Sequence, residues 1–152
     1  EWLRGHGLNP QMAGSVHVIN PRHFVLTDRA FDEQPMALLH ELAHEQHAKR
    51  LAGEPDERIR AAWRAALDAG SYLSVPMRGG GPGRAPPYAA RNHREYFAEL
   101  SEAYFGINDY CPADRDELFL YDLAGLRLIE SMWGVTAPYT RLPKLDEKTP
   151  CR

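Results

Sequence analysis

His40-Glu41-Leu42-Ala43-His44 sets the expectations for the whole chain. On a helix, positions i and i+4 sit one turn apart on the same face, so both imidazoles can reach one metal ion. Glu41 lies beside them, where its carboxylate can take a proton from a metal-bound water. The H-E-x-x-H pattern fixes only three residues and recurs by chance, so its surroundings must supply the rest. Two imidazoles hold zinc poorly. Catalytic zinc sites use three protein ligands and leave one position open, whereas structural sites are closed by four.

The third ligand is sought first just downstream. In the extended pattern H-E-x-x-H-x-x-G-x-x-H, His47 stands at the glycine position and Arg50 at the third histidine. That excludes the metzincin arrangement. His47 is expected one turn beyond His44, beside the metal, at the surface or behind a ligand. A better candidate lies in residues 94–105, where Glu95, Glu99 and Glu102 fall at i, i+4 and i+7. They form an acidic stripe opposite Phe97, Leu100 and Tyr104. Such a stripe is ordinarily a solvated helix face. Beside an H-E-x-x-H that lacks a third ligand, a carboxylate from a second helix is what a His₂Glu zinc site needs.

Around these two segments the chain reads as α+β. Residues 15–19 and 23–27 are short β-branched or apolar runs with Asn20-Pro21-Arg22 between them, the pattern of two strands and a turn. Asp32-Glu33-Gln34-Pro35 then opens a helix that carries the H-E-x-x-H and ends near Gly53-Glu54-Pro55. A second helix is expected over 56–69, with Ile59, Ala62, Trp63, Ala66 and Leu67 at helical spacing. Residues 71–75 read as a short strand, and 79–87 as a glycine-proline loop too short for a domain linker. No G-K-[ST] follows its glycines, so it is not a phosphate-binding loop. Helical patterning resumes over 92–105 and again over 121–133.

The 152 residues suit one domain, spanning 1–152, that is large enough to bury a core without metal or disulfides. A formal net charge of −3 offers no basic footprint, so nucleic acid is not an expected partner. No apolar run approaches the ~20 residues that span a bilayer, so no membrane is expected either. A monomer is expected. The chain begins Glu1-Trp2-Leu3, as expected of a mature form or an excised domain. Its two cysteines, Cys111 and Cys151, lack the C-x-x-C spacing of a metal or redox motif. Read as a disulfide tying the C-terminal tail to the body, they imply a secreted, extracellular protein. Read otherwise, they are two unrelated thiols.

The pairing of His40-Glu41-Leu42-Ala43-His44 with Tyr88, and seven residues later with Glu95-Tyr96-Phe97-Ala98-Glu99, resembles the anthrax lethal factor catalytic domain and its relatives, the secreted Pro-Pro endopeptidases among them. Glu95-Tyr96-Phe97-Ala98 with Ser101-Glu102-Ala103-Tyr104-Phe105 is more distantly similar to MtfA-type peptidases. The likeness covers roughly residues 35–105. It implies a zincin-like α+β domain, with a small mixed sheet packed on the H-E-x-x-H helix and a further helical portion carrying the third ligand. It implies a gluzincin site in which His40, His44 and Glu95 hold Zn²⁺ and Glu41 is the general base acting on zinc-bound water. Tyr88 would stabilise the transition state, and Glu99 would be the carboxylate holding a ligand histidine by its free ring N–H. The implied activity is zinc-dependent hydrolysis of peptide bonds in an extended protein or peptide substrate. Such substrates lie along an edge strand, a role open to residues 16–19 or 24–27. The glycine-proline loop before Tyr88 has no clear counterpart in these relatives, so substrate preference does not transfer.

Other classes fit less well. A catalytically weak zincin-like binding module or toxin-derived domain has no need for both Glu41 and Tyr88. A helical protein with an accidental H-E-x-x-H does not account for the Tyr88–Glu95 spacing. His6, His17, His23 and His93 are expected to be structural or at the surface.

Overall fold

The structure is a computed structural model and describes residues 2–5, 7, 9–12, 15, 36–51, 53–77, 84–136 and 151. Those residues are mostly helical. A short helix, α1 (Trp2–Gly5), and a 3₁₀ turn, Pro10–Met12, precede the main assembly. That assembly comprises α2 (Ala37–Arg50), α3 (Glu54–Asp68), α4 (His93–Phe105), α5 (Arg115–Tyr121) and α6 (Leu123–Trp133). Strand is confined to β1 (Val75–Pro76) and β2 (Arg84–Ala85), an antiparallel pair, with an isolated bridge from Met77 to Tyr110.

Among the described residues helix α4 is central and touches α2, α3, α5 and α6. A helix enclosed in this way must be apolar or internally satisfied on nearly every face. Accordingly Tyr96, Phe97, Leu100 and Ala103 are buried together with Ile59, Leu118, Leu126 and Ile129. Its start is set by Asn92, whose side-chain oxygen accepts from the backbone N–H of Arg94 (2.9 Å) and Glu95 (3.1 Å). This cap satisfies two otherwise orphaned donors and fixes the turn that carries Glu95. In α2 the last turn holds Lys49 and Arg50, cations suited to the negative end of a helix. Pro55 sits in the first turn of α3, where a missing N–H costs nothing.

The sequence pattern and the structure part company at several places. Residues 16–27, with both expected strands, and the expected helix start at 32–35 lie outside the described residues. The described part of the H-E-x-x-H helix begins at Ala37 and ends at Arg50, with Leu51 closing it. No mixed sheet occurs among the described residues. Residues 71–74 turn instead of extending, because Tyr72 is pinned from two sides. Its hydroxyl donates to Asp122 (3.1 Å), and its ring stands edge-on to Tyr96 and Tyr121. The backbone adopts a positive φ of 61° to deliver that ring. The expected 121–133 helix begins two residues later, as α6, because Asp122 caps it by accepting from Gly125 N–H (2.7 Å); the separate helix α5 before it was not expected. Asp122 also accepts from the Tyr96 hydroxyl (2.6 Å), so one carboxylate ties α4 to the start of α6. A Cβ on Gly125 would lie 2.5 Å from Leu100 and 2.7 Å from the Tyr96 hydroxyl, which is why the approach there requires glycine.

Cys111 and Cys151 form a disulfide with a Cα–Cα distance of 5.4 Å, buried beside Val75. No helix among the described residues is long and apolar enough to cross a membrane.

Candidate metal centre

Helices α2 and α4 run antiparallel along one seam, and polar side chains meet along it in order. His40 faces Glu102 and Glu99, His44 faces Glu95, and His47 approaches His93 through Asp56. The candidate ligands occupy the middle. His40 Nε2 and His44 Nε2 lie 3.1 Å apart, and Glu95 Oε2 is 3.0 Å from the first and 3.3 Å from the second. Tetrahedral zinc with bonds of ~2.0–2.2 Å holds neighbouring ligand atoms roughly 3.3 Å apart. The three atoms are therefore spaced as such an ion requires. Their side chains remain 16%, 28% and 22% exposed, which leaves a face open for a fourth ligand.

The outer ring nitrogen of His40 is held from behind. Its Nδ1–H donates to Glu102 Oε1 at 2.6 Å, a short charge-assisted bond, while Nε2 faces Glu95 and His44. Metal-ligating histidines almost always hold such a partner on the second nitrogen. The family resemblance implied Glu99 for this role; in the structure the carboxylate on this nitrogen is that of Glu102. Glu99 lies 3.8 Å from the same nitrogen and instead accepts from Asn108 Nδ2 at 3.3 Å. At 1.5 Å per residue, register alone would set Glu99, one turn beyond Glu95, against His40; the Glu102 side chain, nearly a turn further along, reaches Nδ1 instead. Both glutamates are buried, so this stripe is not a solvated face.

Electrostatics at the seam favour a cation. Burial pushes the His40 imidazole down, but its bond to Glu102 and the charges of Glu102, Glu99 and Glu95 outweigh that and hold it at about 9. His44 is lowered, by burial and then by His40 beside it. Burial, followed by repulsion from Asp109 and Glu102, pushes Glu99 up to about 8. Asp109 rises to about 6, again through burial first and Glu102 next.

Glu41 and Tyr88 share a cleft of about 210 Å³ with His40, Glu99, Glu102 and Asp109. Glu41 is exposed on α2, and Tyr88 is 37% exposed in the 3₁₀ turn Tyr88–Ala90 that leads into α4. The guanidinium of Arg91 lies 3.6 Å over the Tyr88 ring, a cation–π contact that restrains the phenol. All five predicted chemistry-bearing residues, His40, His44, Glu95, Glu41 and Tyr88, thus lie around one region.

Of the alternatives expected for His47 and His93, the surface ones do not hold: both are buried. Each ring Nε2 lies against Asp56 Oδ1, at 2.7 Å and 3.0 Å. This cluster and Glu102 escaped sequence reasoning. The i+7 position of Glu102 signalled its face, but nothing local marked Asp56 as a partner of two distant histidines. Cys111 and Cys151 are joined to each other, so their sulfurs are not thiolate ligands. Neither a family model, nor a curated protein, nor a solved structure matches this chain.

Proposed function

We propose that this chain is a zinc-dependent endopeptidase acting on extended protein or peptide substrates, with a site similar to that of the lethal-factor and Pro-Pro endopeptidase group. The observation that carries this reading is the convergence of His40, His44 and Glu95 at 3.0–3.3 Å, with Glu41 and Tyr88 lining an adjoining cleft. The zincin-like α+β arrangement, with a small sheet against α2, belongs to the same proposal. So does a secreted location, since disulfides persist in oxidising compartments.

His40, His44 and Glu95 would hold the metal, with Glu102 orienting His40. When bound, zinc supplies Lewis acidity, lowering the pKa of water from 15.7 to about 7. Glu41 is placed on the ligand helix to accept the proton of the attacking water. It then returns that proton to the leaving amine, a role worth ~10²–10⁴ in rate. The Tyr88 hydroxyl donates to the carbonyl oxygen as negative charge develops there. Arg91 limits the orientations the ring can take.

The test is metal analysis of the purified chain, with cleavage of an unfolded protein by the native form and by Glu41→Gln. One zinc per chain in both and hydrolysis by the native form alone supports the proposal. Zinc in both with equal inactivity would leave a zinc-holding binding module.

A further inference from the structure

We propose that Asp56, by gripping His47 and His93 across the α2–α4 seam, is a positioning residue that holds Glu95 in register with His40 and His44. The inference rests on the metal-site reading above and concerns a residue that touches none of the three ligands.

The ligand from α4 sits at a vulnerable point. Glu95 belongs to the first turn of its helix, and its neighbour Arg94 is exposed, whereas residues 96–104 are buried. First turns fray. The Asn92 cap secures the turn internally but does not tie it to α2. Asp56, in the first turns of α3, supplies that tie. Its Oδ1 accepts from His47 Nε2 at 2.7 Å and from His93 Nε2 at 3.0 Å, and its Oδ2 accepts from Arg60 Nη2 at 2.7 Å. His47 follows His44 by about one turn of α2, and His93 precedes Glu95 by two residues. One carboxylate therefore bridges the backbone segments that present two of the three ligands. At the other end of the seam, the His40–Glu102 bond does the same for the third. A functional constellation needs placement to within ~0.5 Å, so rigid ties on both sides of the centre have a direct chemical consequence.

The same three groups have the makings of a second cation site, since their donor atoms lie within 4.8 Å of one another. Two features oppose that. Arg60 already places a cation on the Asp56 carboxylate. His47 Nδ1 is buried with no hydrogen-bond partner among the described residues, whereas a metal-bound imidazole needs an acceptor for its other N–H, as His40 has in Glu102.

The experiment measures zinc stoichiometry, zinc affinity by chelator competition, and the visible absorption of the Co²⁺-loaded full chain. Native protein, Asp56→Asn, Asp56→Leu and His93→Leu are compared. The native chain binds one zinc. Asp56→Leu weakens zinc ~10–100-fold, the range for residues that orient metal ligands, and alters the Co²⁺ spectrum. Asp56→Asn, whose amide oxygen still accepts both imidazole N–H groups, stays within a few-fold of native. His93→Leu keeps the Asp56 bonds to His47 and Arg60, so it tests the tie to α4 even if Asp56→Leu does not fold. Affinities and spectra unchanged in both leucine variants would overturn the proposal while leaving the metal centre standing. Two zincs in the native chain, one lost in Asp56→Leu, would also overturn it, in favour of a second cation site. A native chain that binds no zinc would remove the metal-site reading itself.

Discussion

Replacing Glu102 by glutamine separates the two carboxylates that compete to orient His40. The side chain keeps its length and an acceptor oxygen, so the change is chiefly the loss of one negative charge. A hydrogen bond to a charged group contributes about 1.5–3 kcal/mol and a neutral one about 0.5–1.5 kcal/mol. The difference, about 1–1.5 kcal/mol, is roughly tenfold in zinc affinity. Solvent does little to screen it, because the His40 and Glu102 side chains are only 16% and 6% exposed. Glu99→Gln should behave differently. Its carboxyl stands 3.8 Å from the His40 nitrogen, and burial, with Asp109 and Glu102 beside it, pushes it up to about 8. It is mostly uncharged near neutral pH, so an amide changes little, and affinity should stay within about threefold of native. Competition with a chromophoric chelator at pH 7 measures both variants. A larger loss in Glu99→Gln than in Glu102→Gln would refute the assignment and restore the expectation drawn from the sequence. No loss in either would show that neither group orients the histidine.

Further outcomes follow from the same geometry. Tyr88→Phe should lower kcat on the order of 10²-fold, with zinc content unchanged and KM little altered, if its hydroxyl serves the transition state; steady-state kinetics with metal analysis decides this. Burial opposes the Asp56 charge, but its bonds to Arg60, His47 and His93 prevail and hold its carboxyl well below the usual carboxylate range. Its contribution to stability is therefore fully present above the unfolded value of about 3.9 and is lost as pH falls through the lower folded value. Urea midpoints between pH 5 and 2 should accordingly fall more steeply for the native chain than for Asp56→Asn, and parallel slopes would contradict this. Reducing the Cys111–Cys151 disulfide, with a sequence separation of 40, should cost about 4 kcal/mol on the loop-entropy account. Equilibrium unfolding with and without reductant measures that loss.

The local part of this design was open to inspection in the chain alone. Helical spacing places His40 and His44 on one face, and the patterning over 92–105 matches α4 (His93–Phe105), because both depend on periodicity along a single element. The acidic stripe of Glu95, Glu99 and Glu102 was visible for the same reason. What periodicity does not contain is the offset between two helices. Whether Glu99 or Glu102 meets His40 depends on how α2 and α4 slide past one another, and that follows from side-chain packing along the whole seam. The Tyr72 turn was hidden likewise. Its residues suit a strand, and a phenol bonded to Asp122 from a distant helix overrides that preference.

His47, Asp56 and His93 mark the limit most clearly. Each is unremarkable in its own segment; His47 reads as a residue at the surface or behind a ligand, and His93 as structural or at the surface. Residue types and spacings along the chain were enough to nominate a metal-binding triad and a base, since each is a matter of chemistry carried on a short segment, while the phenol, Tyr88, was implied by the family resemblance. Which carboxylate grips which imidazole, and that Asp56 bridges two helices beside the site, emerged with the packing of α2, α3 and α4. Hydrogen bonds of about 3 Å between residues far apart in sequence are set by the relative placement of whole elements, and no local pattern encodes that distance.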